Sequence, residues 1–240
     1  MLKYLTAALL TALAMSTPSK AVTINVGDVG ASGTTALQGY VDVNGNAVSV
    51  PGLTGSLFLE YDGVTNGGLT WNFDYTVTNT QSGSVTASRI TSFGLTTTPN
   101  IVGAASTGLF GYTILNPSFP NVNGANAIEV CFSSASGSCS GGTGLTSGQS
   151  ASGEFTLTFD QVFSLISLDA AFLRFQSIDG SPYGFQGASG VGFNVGDINL
   201  QAVPLNPVPL PASAVLFGSG VLGLIVLNRR RRKRRELGAA

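Results

Sequence analysis

LTWNFDYTVTN, the sequence of residues 69–79, has the clearest structural pattern in the chain. Apolar and polar side chains alternate strictly along it. The apolar set is Leu69, Trp71, Phe73, Tyr75 and Val77, and the polar set is Thr70, Asn72, Asp74, Thr76 and Thr78. Because successive side chains of a β-strand point to opposite faces of the sheet, this alternation predicts a strand with one buried and one solvated face. Such strands are typical of antiparallel sheets.

Shorter segments rich in β-branched and aromatic residues predict further strands. They are 22–26 (VTINV), 57–61 (LFLEY), 88–95 (SRITSFGL), 127–132 (AIEVCF), 153–159 (GEFTLTF), 167–177 (SLDAAFLRFQS) and 190–195 (GVGFNV). The turn-forming groups between them include Asp62-Gly63, Asn66-Gly67-Gly68 and Asn116-Pro117. Weak helical character is confined to 160–164. We therefore expect a mainly β protein in which residues 22–206 form a single antiparallel β-sandwich of jelly-roll or immunoglobulin-like type.

The composition excludes several classes of function. Of the 240 residues, 10% are charged and none is histidine, whereas soluble proteins carry about 25% charged residues. The lack of histidine excludes Ser-His-Asp and Cys-His catalysis and any histidine zinc site. It also removes the commonest general base, so an enzyme of this composition would depend on its carboxylates.

The positive charges are concentrated at the two ends of the chain. Seven of the 11 basic residues form the run Arg229, Arg230, Arg231, Arg232, Lys233, Arg234 and Arg235. Lys3 and Lys20 lie near the N-terminus, which leaves Arg89 and Arg174 for the middle region. All of the 12 acidic residues except Glu236 lie in that region. An acidic domain with so few cations is not suited to nucleic acid, because phosphate neutralisation needs basic side chains.

Residues 1–21 have the pattern of a secretory signal peptide, which predicts an N-terminal signal helix and export through the Sec machinery. Lys3 precedes an apolar segment at 4–14 (YLTAALLTALA), and Ser19 and Ala21 supply the small residues of a cleavage site after Ala21. Residues 12–14 (ALA) are a second possible site. An uncleaved anchor is the alternative, but the apolar segment is shorter than the roughly 20 residues of a membrane span.

The two cysteines, Cys131 and Cys139, flank a Ser- and Gly-rich loop. In an exported chain with an even number of cysteines, a disulfide between them is the expected arrangement. A two-thiol metal site is the alternative, and it is a poor zinc site because no histidine or further cysteine completes it.

The C-terminal tail, residues 207–235, combines an apolar segment at 212–228 with the basic run at 229–235. The apolar residues proper number about 16 from Ala212 to Leu227, or about 20 counted from Val208, which is a marginal to adequate length for a transmembrane helix. The positive-inside rule makes the basic run a topology determinant that stays in the cytoplasm and places the domain on the other side of the membrane.

Specific residues of this tail resemble a known sorting signal. Val208, Pro209, Leu210, Pro211 and Ala212 are followed by 216–220 (LFGSG), 222–224 (LGL) and the basic run. This order resembles the PEP-CTERM sorting signal of Gram-negative bacteria, with Leu210 in the place of the family's glutamate. The resemblance implies recognition by an exosortase, anchoring in the inner membrane, processing near the two prolines, and release to the cell surface or extracellular matrix. It implies no activity for the domain.

The middle region offers three weaker candidate sites. Paired carboxylates could hydrolyse glycosides, and the acidic residues are Asp28, Asp42, Glu60, Asp62, Asp74, Glu129, Glu154, Asp160, Asp169, Asp179 and Asp197. The sequence 42–46 (DVNGN) alternates oxygen ligands as a calcium loop does, but its glycine is misplaced and a hairpin turn is the alternative. Aromatic residues could bind carbohydrate: Trp71, Phe73 and Tyr75 are expected in the core, whereas Tyr112, Phe119, Tyr183 and Phe185 lie in loop-like sequence.

These observations favour an exported, non-enzymatic surface or matrix protein with a structural or adhesive role. The alternative is a β-sandwich module that binds extracellular polysaccharide, with or without calcium. A secreted glycoside hydrolase is the third hypothesis. No cofactor is expected.

Overall fold

The computed structural model describes residues 21–43, 46–117, 128–139, 141–180 and 184–194, all within one compact unit, Met1–Ala202. The predicted signal helix and the whole C-terminal tail therefore lie outside the described residues. In the part that is described, no helix is long and apolar enough to cross a membrane.

Strands make up nearly all of the regular structure. They are β1 (Val22–Asn25), β2 (Ser32–Val43), β3 (Asn46–Thr65), β4 (Thr70–Asn79), β5 (Val85–Thr98), β6 (Gly103–Ser106), β7 (Tyr112–Leu115), β8 (Val130–Ser133), β9 (Leu145–Thr146), β10 (Ser150–Thr158), β11 (Leu165–Gly180) and β12 (Phe185–Asn194). Two short 3₁₀ turns, Asn66–Gly68 and Gly108–Phe110, connect strands. The prediction of a mainly β domain is confirmed.

All strands belong to one 12-stranded antiparallel sheet with the order β6-β10-β4-β3-β2-β12-β11-β5-β8-β7. The short strands β1 and β9 add to β11 and β5. The sheet curls until it is nearly closed, because Cα atoms of its two edge strands, β6 and β7, lie within 8 Å of each other. The hydrogen bonds between strands therefore do not form the expected sandwich of two separate sheets. One continuous sheet folds over its own inner face instead.

The inner face holds a core of stacked aromatic side chains. In β4 the predicted alternation is confirmed, since Trp71, Phe73, Tyr75 and Val77 are all buried. Ring centroids lie 5.0 Å apart for Tyr61 and Trp71, and 4.9 Å apart for Phe73 and Phe155. These are ordinary distances for attractive aromatic pairs.

Two local expectations were wrong. Asp62-Gly63 was expected to be a turn, but it lies within β3, where a register shift between Tyr61 and Gly63 marks a β-bulge. The weak helical pattern at 160–164 forms a loop. In contrast, Asn66-Gly67-Gly68 does form the turn between β3 and β4, with Gly67 at φ 67°. Glycine reaches this region of φ without steric cost.

Candidate functional site

Three carboxylates lie side by side on the outer face of β3, β4 and β10. Glu60 of β3 is directly opposite Asp74 of β4, and Asp74 is directly opposite Glu154 of β10. Directly opposite residues of antiparallel strands have Cβ atoms about 4.5–5.5 Å apart, so the three negative charges repel one another. Such an arrangement costs stability, and rows of like charge are therefore candidates for a functional role.

The bulge in β3 adds a fourth carboxylate to this row. Asp62 occupies the shifted position between Tyr61 and Gly63. Partial desolvation raises the pKa of Asp62, and the neighbouring charges of Asp74, Glu60 and Glu154 raise it further. The four carboxylates thus interact electrostatically, although Asp62 itself is exposed to solvent.

The carboxylate row borders an open depression with a volume of about 400 Å³. We call this depression the acidic groove, and its lining residues are Phe58, Glu60, Asp74, Tyr75, Thr76, Thr107, Ser152, Gly153 and Glu154. Phe58 is a half-buried aromatic side chain of β3, and its neighbours on the outer face of β3, β4 and β10 are polar. Next to it, the hydroxyl oxygens of Thr76 and Ser152 share a hydrogen bond of 2.7 Å.

The chain before the second 3₁₀ turn forms the rim of the groove. The phenol of Tyr75 donates a hydrogen bond of 2.7 Å to the carbonyl of Thr107. The N–H of Thr107 donates to the carbonyl of Glu154, and the Thr107 hydroxyl accepts from the N–H of Glu154. Gly153 makes this close approach possible, because a Cβ there would lie 2.7 Å from the carbonyl oxygen of Thr107. The rim is therefore held by one backbone–backbone hydrogen bond and by hydrogen bonds of the Tyr75 and Thr107 hydroxyls.

The groove offers hydrogen-bond acceptors, hydroxyls and one aromatic surface. Among the described residues, no group of three or more Asp, Glu, Cys or His side chains is arranged to hold a metal ion. As placed, the carboxylates can accept hydrogen bonds from hydroxyl groups of a ligand. Phe58 can offer its ring as an apolar contact.

The other predicted candidates are dispersed. Trp71, Phe73 and Tyr75 are buried in the core, as expected, and Tyr112 is 51% exposed on the edge strand β7. Phe119 and Tyr183 lie outside the described residues, and the Phe185 side chain does too. The last residue pair between β2 and β3 is Val43 with Asn46. This pairing confirms a hairpin at the suggested calcium loop. Residues 44 and 45 lie outside the described residues.

The predicted disulfide is present. Cys131 of β8 is bonded to Cys139, and their Cα atoms lie 6.2 Å apart. The loop that it closes folds over the outer face of β5, where the Ser92 hydroxyl donates a hydrogen bond of 2.7 Å to the carbonyl of Cys139. The hydroxyl of Ser133 holds the same loop through the carbonyl of Ser138. The disulfide therefore fastens a covering loop to the sheet.

The proposed sorting residues at 208–212 and 229–235 lie outside the described residues. Phe58 and the cross-strand row were missed by the sequence interpretation. One signal for Phe58 was present, because the alternation of Leu57, Leu59 and Tyr61 places Phe58 and Glu60 on the opposite, outer face.

Comparison with known proteins adds no relative: no family model, no curated protein and no solved structure matches this chain.

Proposed function

We propose that this chain is an exported protein of the cell surface or extracellular matrix of a Gram-negative bacterium, with a non-enzymatic structural or adhesive role. In this proposal the signal helix at 1–21 directs Sec-dependent export, and cleavage follows Ala21. The transmembrane helix at 212–228 and the basic run at 229–235 hold the domain at the inner membrane. An exosortase then processes the tail near Pro209 and Pro211.

The observation that carries the proposal is the disulfide between Cys131 and Cys139. Disulfides persist in oxidising compartments outside the cytoplasm. The sequence before the domain has a signal-peptide pattern, and the sequence after it has a sorting-signal pattern. Both patterns agree with export of the disulfide-bonded domain.

Two features support a non-enzymatic role. The chain has no histidine, so acid–base chemistry would depend on carboxylates. Glu60, Asp74 and Glu154 lie in one row along an open sheet face, whereas glycoside hydrolysis needs two carboxyl groups that flank the scissile bond.

Polysaccharide binding in the acidic groove is a second candidate function, and Phe58 is the observation that favours it. An aromatic ring beside hydroxyl and carboxylate groups can pack against a sugar ring while the polar groups bind its hydroxyls. Replacing Phe58 with alanine should then weaken retention on immobilised neutral polysaccharide. Alanine at Tyr112, an exposed aromatic residue of the edge strand β7 outside the groove, serves as the control and should leave retention unchanged.

Fractionation of the tagged chain in strains with and without the exosortase tests the main proposal. We expect surface or matrix material without residues 229–235 in the first strain, and full-length chain in the inner membrane in the second. Cytoplasmic chain in both strains would refute export. Unprocessed surface chain in both would refute sorting and leave a permanent membrane anchor.

A further inference from the structure

Five exposed aliphatic side chains lie at one end of the strands. The exposed fractions are 41% for Val26, 57% for Val29, 56% for Val102, 63% for Val162 and 47% for Leu165. In the part of the chain that is described, the other exposed large apolar side chains are Tyr112 and Leu115 of β7. Single exposed apolar residues are ordinary, but a group of them marks a contact surface. We call this group the apolar end.

Strand pairing places the five residues at the same end of the sheet. Asn25, which ends β1, is opposite Leu165, which begins β11. Thr158, which ends β10, is opposite Gly103, which begins β6. The loops after β1, β5 and β10 therefore emerge together. Backbone hydrogen bonds hold them, since the N–H of Val26 donates to Ser164 and that of Val102 to Thr158.

The last described strand, β12, also runs toward this end. Strand β12 is antiparallel to β11, and its last residue, Asn194, is opposite Leu37 of β2. Strand β2 begins at Ser32, so Asn194 lies roughly 17 Å short of the end at about 3.3 Å per residue. Residues 195–207 precede the sorting motif, and an extended segment of that length reaches up to about 45 Å.

We propose that the apolar end contacts the lipid surface of the membrane while the C-terminal tail anchors the chain. This inference rests on the anchoring part of the proposed function. The tail keeps the domain within reach of the bilayer, which gives the loops a high effective concentration of lipid. Aliphatic side chains on separate loop tips fit a deformable lipid surface, because a bilayer needs no complementary pocket for each of them.

The charges at the apolar end determine which lipid headgroup charge it can contact. Asp28 and Asp160 lie in two of its loops. The two cations of the described residues are distant from them: Arg89 lies near the start of β5 opposite Thr146, and Arg174 lies in the middle of β11 opposite Ser92. Acidic loops that have no cation beside them among the described residues are repelled by an anionic surface and tolerate a zwitterionic one. We therefore expect phosphatidylcholine to be bound better than mixtures rich in phosphatidylserine.

An environment-sensitive fluorophore on the full chain tests the contact. The cysteines are joined in a disulfide, so a single introduced thiol, Val162→Cys, can be labelled. The chain is inserted into phosphatidylcholine vesicles, and flotation reports whether it is anchored. We expect the label at 162 to shift its emission to shorter wavelength and to be quenched by doxyl-labelled lipid. The control is Ser82→Cys, in the exposed turn after β4 at the opposite end, where neither change is expected.

Each outcome decides a different point. A chain that floats with both labels equally unquenched overturns the lipid contact and leaves the anchoring intact. A chain that does not float refutes the anchoring and the contact together. A spectral shift without lipid quenching indicates burial against protein and overturns the lipid assignment. Val29→Ser combined with Val102→Ser should reduce quenching at 162, whereas Tyr112→Ser should not.

Discussion

Asp74 is the central charge of the carboxylate row, with Glu60 and Glu154 on either side. Removing this charge relieves two repulsions at once. We expect Asp74→Asn to stabilise the domain by a few tenths to about 1 kcal/mol, as cross-strand pairs generally contribute. Urea unfolding at neutral pH measures the change, and added salt should reduce it through screening. Asp160→Asn removes the same charge from a loop, and an equal gain from it would show that only net charge matters.

Asp62 should make the folding stability of the domain depend on pH. Its carboxyl has a pKa raised above the usual 3.8 in the folded state, so folding favours its protonated form. The stability that it contributes is complete below 3.8 and is lost as the pH rises through the raised folded value. The urea midpoint of the wild type, relative to that of Asp62→Asn, should therefore increase as the pH falls through this window. A constant difference would contradict the electrostatic coupling.

Gly153 permits the contact between β10 and the rim of the groove. A Cβ at this position would lie 2.7 Å from the Thr107 carbonyl oxygen and 2.8 Å from the Tyr75 hydroxyl. Gly153→Ala should thus disturb the hydrogen bond between those groups and cost about 1–3 kcal/mol, as overpacking does. Gly103→Ala in β6 is the matched control, because its nearest neighbour atom would be at 3.5 Å. Equal unfolding midpoints for both variants would contradict this explanation.

At the scale of the element, the alternation of apolar and polar side chains predicted strands whose inward-facing residues are large and apolar. It missed a strand whose inward-facing residues are small or polar. Strand β4 carries tryptophan, phenylalanine and tyrosine inward and was readily recognised. Strand β2 was missed, because its inner positions include Thr35 and Gly39, which carry no apolar signal. Gly39 is required there, since a Cβ would lie 2.8 Å from the carbonyl of Leu53.

The groove could be predicted only in part. Alternation places Phe58 and Glu60 on the outer face of β3, and Asp74 on the outer face of β4. Their alignment with Glu154 depends on the pairing of β4 with β10, which are distant in sequence. A bulge of one residue in β3 also changes the register. One sequence contains no signal for such long-range register, so the row appears only in the folded chain.

The disulfide stabilises the loop between β8 and β9. Replacing Cys131 and Cys139 together with serine should lower the free energy of unfolding by roughly 2.5 kcal/mol, the chain-entropy value for so short a loop. Urea unfolding of the variant measures this, with reduction of the wild type as a second route to the same state. The Ser92 hydroxyl donates to the backbone carbonyl of residue 139, so this hydrogen bond survives the substitution of the Cys139 side chain. A loss near zero would mean that this hydrogen bond network alone holds the loop.

At the scale of the whole molecule, β11 connects the two halves of the sheet. It pairs with β12 and β1 along one edge and with β5 along the other. Its partners come from the beginning, middle and end of the described chain, so the core closes only after most of the domain has been synthesised. Such non-local topology folds slowly. Export before complete folding is compatible with that order of events.

The thiol state of Cys131 and Cys139 reports where the whole chain folds. In the proposed route the signal peptide carries the chain into an oxidising compartment, so both cysteines should resist alkylation by a maleimide reagent in cells expressing the full chain. Deleting residues 2–21 should keep the chain in the reducing cytoplasm and make both thiols reactive. The Cys131→Ser, Cys139→Ser variant provides the unlabelled control in each compartment. Protected cysteines in the leaderless chain would show that the disulfide forms without export, and the main support for a surface role would be lost.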